Sequence, residues 1–269
     1  MAFPNTRHTL IQRLVSGGED EDWRNFLSDY WGPVCRFAMR RGTTSLEDAE
    51  DIASTTFEVV FRKELLQQWV NSPQAKLRTL LCNIVNRVQA NKYRAERRKA
   101  DFQKKLAQEI SQAREDADSQ QQDAFTAAWV EELLQQCLQR LAQEYHAAGK
   151  GDYFRVLYGR LCEQLSIAEV SEALEISRSA VDNYYRNVRR RLQESLQSAV
   201  RSHVYRYCPV AEAEDEFVVE WGRLEDHLRK HGGLEDALRK AHQSTAGEQL
   251  QTRKRQGIRD TLTRISSIE

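Results

Sequence analysis

The chain has 269 residues, of which 40% are hydrophobic and 30% charged. That balance is too apolar for wholesale disorder and too polar for a membrane protein. The 40 Lys and Arg residues equal the 40 Asp and Glu residues, which excludes a uniformly basic coat for nucleic acid but not a local basic surface.

The opening MAFPNTRHTLIQRLVSGGED has no signal-peptide apolar core, and no stretch approaches the ~18 apolar residues of a spanning helix. We expect a cytoplasmic protein that makes no membrane contact. Proline occurs only at 4, 33, 73 and 209, and glycine is absent from 43 to 148. A long tract without these breakers, dominated by Gln, Glu, Arg, Leu and Ala, predicts an all-α fold.

Residues 1–42 read as one or two helices interrupted near Gly17-Gly18 and Gly32-Pro33, with Trp23, Phe26, Leu27, Tyr30 and Trp31 at core spacing. In TTSLEDAEDIASTTFEVVFRKEL, Ser45 and Asp48 form a capping box, and Leu46, Ala49, Ala53, Phe57 and Val60 make one apolar stripe. Crowding of Asp and Glu in that first turn suits the helix dipole.

A loop at 67–74 leads into AKLRTLLCNIVNRVQANKYRAERRKA, whose buried face is Leu77, Leu80, Leu81, Ile84 and Val88. Its other face carries Asn83, Arg87, Asn91, Arg94 and Arg98. From 76 to 99 eight basic residues, Lys92 among them, face one acid, Glu96. A solvated helix end could hold such charge. Pairing arginine with asparagine suits a nucleic-acid groove better, because arginine takes phosphate and asparagine takes base edges. Trp69, in the preceding loop, either packs under that loop or stacks on an unpaired base.

Residues 101–125 read as a linker rich in Gln, Asp and Glu, and a second apolar-periodic region begins near Trp129. Its most informative stretch is LSIAEVSEALEISRSAVDNYYRNVRRRLQESL. Ser166 caps a first helix, 167–174; Glu175-Ile176-Ser177 is the turn; Ser177 caps a second helix from Arg178. Val170, Leu174, Ile176, Val181 and Tyr184 are the apolar positions at which two such helices cross. The exposed face of the second helix then presents Arg178, Ser179, Asp182, Asn183, Arg186, Asn187, Arg189 and Arg190. In a DNA-binding helix-turn-helix, the start of that helix enters the major groove while its basic flank grips phosphates. The alternative is a helical hairpin with a charged surface and no DNA.

Beyond Cys208-Pro209, residues 211–220 carry five acids and no base. Phe217, Val218, Trp221, Leu224 and Leu228 form a stripe, Gly232-Gly233 breaks it, LEDALRKA makes a short helix, and the last twenty-odd residues look mobile. This extension either caps the second domain or masks a basic DNA-reading face. Cys35, Cys82, Cys137, Cys162 and Cys208 are spread singly, as buried reduced thiols would be. His227 and His231 lack a third ligand, and no catalytic constellation or phosphate-cradling loop appears. We therefore expect no metal, no cofactor and no catalytic residue.

These segments, in this order, resemble a bacterial RNA polymerase sigma factor of the sigma-70 family, extracytoplasmic-function type, with FPNTRHTL, YWGPV, RRG and YHAAGK similar to a planctomycete-like branch. The resemblance covers about residues 3–100 and 128–210. It implies that DAEDIASTTFEVVFRK docks on core RNA polymerase through Asp48, Asp51, Phe57, Glu58 and Phe61. It implies that the 76–99 segment, with Trp69, reads the −10 promoter element, and that the helix-turn-helix reads the −35 element. The implied domains are 1–100, a linker 101–127, 128–208, and an extension 209–269. Polymerase would do the chemistry, so the chain itself is not expected to be an enzyme. A separate inhibitor, or masking by the extension, could regulate it. Glu175 stands where the family's turn usually has glycine, and Ser171 where it has a small apolar residue. A helix-turn-helix regulator acting without polymerase, and a helical protein–protein adaptor, remain the alternatives.

Overall fold

The computed structural model describes residues 9–17, 19–43, 45–62, 66–67, 77–95, 119–207, 210–243 and 245–266. Among them there are helices and no strands. The chain divides into two units, the first formed by residues 1–129, 203–216 and 248–269, the second by 130–202 and 217–247. No helix among the described residues is long and apolar enough to cross a membrane.

The first unit contains α1 (Thr9–Val15), α2 (Asp20–Arg40), α3 (Leu46–Phe61) and α4 (Leu77–Ala95). Asp20, Glu21 and Asp22 open α2 and Arg40 closes it, each charge matched to the helix dipole. The expected interruption at Gly32-Pro33 does not occur; Pro33 lies inside α2. An internal proline costs ~3 kcal/mol or more. Every residue from Tyr30 to Ala38 is buried, and each large apolar side chain so covered is worth ~1.5–3 kcal/mol, so packing outweighs the lost hydrogen bond. Gly42, at φ 105°, stops the helix, and the Thr43 amide returns to the Ala38 carbonyl at 3.3 Å. Buried Gln89 of α4 clamps the same corner, its Nε2 donating to the Ala38 carbonyl at 2.8 Å and to Thr43 Oγ1 at 2.7 Å.

Aromatic side chains fill this core. Trp31 and Phe57 stack with centroids 5.9 Å apart, Phe26 meets Phe57 edge-on, and Trp23 lies 4.8 Å from Phe61. The second half of the expected linker is helical: α5 runs Ser119–Ala147, and Phe125 is buried against Phe37. A lone aromatic in a polar stretch is enough to bring it into a core.

The second unit contains most of α5, then α6 (Gly151–Leu161), α7 (Ile167–Ala173) and α8 (Arg178–Tyr207) up to residue 202. It also holds most of α9 (Ala213–Lys230) and α10 (Gly233–Gln243). Val156, Val170 and Val181 form one small apolar cluster within it, with Leu165, Leu174, Ile176, Tyr184 and Tyr185 against them. The expected crossing positions are thus in the core. Gly159 lets α6 approach α7 closely; a Cβ there would lie 3.1 Å from Val170 Cγ2. On α9 the buried positions are Ala213, Phe217, Glu220, Leu224 and Leu228, while Val218, expected on that stripe, is 66% exposed. One position of helical rotation carries it off the face.

The end of the chain was expected to be mobile and instead forms α11 (Thr245–Ser266), with Leu250, Lys254 and Thr261 buried in the first unit. Four cysteines among the described residues are free, three of them buried; Cys208 lies outside the described residues. Burial pushes the Cys82 thiol up to about 12, so it is inert as a nucleophile.

Candidate functional site

In the second unit, local hydrogen bonds set the angle between α7 and α8. Ser166 accepts from the Glu169 amide at 3.2 Å, and the Glu169 carboxylate accepts from the Ser166 amide at 2.7 Å. This reciprocal pair holds the Glu169 carboxyl below its ordinary range. Leu174 to Ser177 make the turn, with Glu175 at φ 54°. Ser171 donates to the Ile176 carbonyl at 2.5 Å, satisfying a turn oxygen that an apolar residue would leave bare. Ser177 then caps α8 by accepting from the Ala180 amide at 3.1 Å. Behind α8, Tyr145, Tyr153 and Tyr184 stack in a column.

The outward face so positioned carries Arg178, Ser179, Asn183, Arg186, Arg189 and Arg190, all exposed. Asp182 is half-buried and pairs with Arg186 one turn along. Asn187, expected on that face, is half-buried instead and accepts a hydrogen bond from the Tyr145 hydroxyl at 3.0 Å. It sits one position round from Arg186, toward α5. Glu235 of α10 takes the Tyr185 hydroxyl at 2.9 Å and lies 3.7 Å from Arg189. Burial, and then Glu235, push the Tyr185 hydroxyl up to about 12. The extension therefore reaches α8 near Arg189.

In the first unit, Ser45 caps α3, accepting from the Asp48 amide at 3.0 Å and donating to Asp48 Oδ2 at 2.7 Å. Lys92 of α4 reaches Asp48 Oδ1 at 2.5 Å and Asp51 Oδ2 at 3.5 Å. The ammonium hydrogen bond, followed by that from Ser45, holds the Asp48 carboxyl below the usual range. Lys92 was expected to face DNA and Asp48 and Asp51 to face polymerase; the two sets meet as one cross-helix ion cluster. Asn83, Arg87 and Asn91 lie along α4, each half-buried. Trp69, Arg98 and the Arg94 side chain lie outside the described residues.

Phe57 and Phe61 cannot dock on a partner: they are 0% and 7% exposed, in contact with Trp31, Phe26 and Trp23. Aromatics four apart share one face of a helix, and here that face packs inward. The outer surface of α3 is instead Glu47, Asp48, Asp51 and, more deeply set, Glu50 and Glu58. Glu47 and Glu50 belong to the same acidic run as Asp48 and Asp51, at the start of α3.

The described residues contain no group of three or more His, Cys, Asp or Glu side chains able to hold a metal ion. No protein-family model, curated protein or solved structure matches the chain.

Proposed function

We propose that the chain is a DNA-reading initiation factor, in which a helix-turn-helix of α7 and α8 binds duplex DNA. More specifically, we propose an extracytoplasmic-function-type sigma factor: α3 binds core RNA polymerase, α4 contacts the −10 element, and α8 contacts the −35 element. The reading rests above all on the two-capped turn that presents Arg178, Ser179, Asn183, Arg186 and Arg190 on one face of α8. Such a face offers cations for phosphates and an amide for a base edge. The ordered resemblance of the α3, α4 and α7–α8 segments adds the polymerase half of the reading. No catalytic role is proposed, since the polymerase makes and breaks the bonds.

Run-off transcription with core polymerase on a genomic fragment library tests the class and finds the promoter together. The double substitution Arg186→Glu/Arg190→Glu should reduce promoter binding at least tenfold, and the loss should shrink as salt is raised. Transcripts that start at the same sites with wild-type and substituted protein would count against DNA reading by α8. DNA binding without polymerase association would favour a classical regulator.

A further inference from the structure

The chain's last helix lies on the acidic surface of α3. Arg253 reaches Glu50 at 2.8 Å and Glu47 at 4.0 Å, and Arg264 lies 3.7 Å from Glu58. Between these ion pairs, the buried hydroxyls of Ser54 and Thr261 meet at 2.8 Å. Gly257 passes so close to Trp31 that a Cβ would lie 2.4 Å from the indole. Leu250 is fully buried in the same unit, and Ile258 and Leu262 pack against its core.

The seat is specific but not sealed. A cavity of about 290 Å³ remains between the helices, lined by Glu50, Ser54, Arg253, Gly257 and Asp260 among others. Glu50 Oε1 is buried there with no hydrogen-bond partner. A half-satisfied carboxylate and partly exposed, salt-screened ion pairs make the polar part of this closure weak. The extension's hold on α8, by contrast, leaves Arg178, Ser179, Asn183, Arg186 and Arg190 exposed.

We propose that α11 is an intramolecular competitor for the Glu47–Glu50–Glu58 face of α3, so that the chain binds its protein partner there only when α11 leaves. The proposal rests on the reading of α3 as the polymerase-docking helix. The partner surface that replaces α11 presents basic side chains at similar spacing, and polymerase and α11 exclude each other.

A reversible lock in the full-length chain tests this. In Ser54→Cys/Thr261→Cys the thiols replace hydroxyls 2.8 Å apart, and oxidation with diamide joins them. The oxidised form should bind core polymerase at least tenfold more weakly than the same protein after dithiothreitol. Gly257→Ala, which unseats α11 without touching its acidic partners, should bind several-fold more tightly than wild type. Arg253→Glu/Arg264→Glu should do the same. Equal binding by locked and reduced forms, with polymerase still captured, overturns the competitor and leaves the sigma-factor reading standing. No capture by wild type, the reduced pair or either loosened variant overturns that reading and the competitor with it.

Discussion

Glu175 holds φ 54° at the turn between α7 and α8, in the left-handed region where a side chain costs ~1–2 kcal/mol. Glycine would remove that cost, while its freer unfolded chain takes back ~0.5–1 kcal/mol. Glu175→Gly should therefore stabilise the second unit by about 0.5–1 kcal/mol, read as a higher denaturation midpoint, and should leave DNA binding intact. A lower midpoint would mean that the Glu175 side chain supports the turn in a way its exposed position does not suggest. The turn was legible in the sequence because its parts are local: two serine caps, a short connection and apolar crossing positions. Ser171 also fits once its hydroxyl is seen to hold the Ile176 carbonyl. Asn187 misled because a helix position read as exposed lies one step from a packed face, and only the neighbouring Tyr145 decides it.

At the scale of elements, α3 and α4 form a pair whose opposite charges meet. Lys92 spans Asp48 and Asp51, so its positive charge is spent within the protein. Lys92→Gln should let the Asp48 carboxyl rise toward its ordinary value of 3.8, followed by carbon-detected NMR titration. The Ser45 contact remains, so the return should be partial; an unmoved carboxyl would show that Ser45 alone depresses it. Sequence periodicity gave away the inward faces of α3 and α4 but not this pairing, which depends on how the two helices are set side by side. α11 was harder still to read. Lys254, Gly257 and Thr261 all lie on its inward face, and none reads as apolar, so the stripe through Leu250 and Ile258 is broken. Its signal is steric and polar: room for an indole at Gly257, and a hydroxyl partner for Thr261.

Across the whole molecule, a net charge of zero conceals cations and carboxylates matched between distant segments, and the first unit depends on both ends of the chain. Residues 29 and 206, 177 positions apart, meet at 2.6 Å through Arg206 and Asp29, and the Tyr207 hydroxyl adds a bond to Asp29 at 2.7 Å. Burial raises the Asp29 carboxyl against the pull of these partners. His203 lies 3.9 Å from Asp29 among Tyr30, Trp129 and Tyr207. Asp29 is already claimed by Arg206 and Tyr207. Burial, followed by the Arg78 and Arg206 charges, pushes His203 down to about 3, so it is neutral at pH 7. The unfolded chain protonates this imidazole near 6.5, whereas the fold resists until about 3. Its contribution to stability is therefore complete above pH 6.5 and is lost as pH falls toward 3, at ~1.4 kcal/mol per pH unit for one proton. Asp29 works in the opposite sense, taking up its proton earlier in the fold than in the unfolded chain, so it softens the lowest part of that limb. The thermal stability of the full chain should fall steadily from pH 6.5 to about 4.5. His203→Gln should begin less stable, because the ring contacts are lost, but should show a slope shallower by one proton. Parallel limbs in the two proteins would show that His203 is charged in the folded state and paired with Asp29 after all.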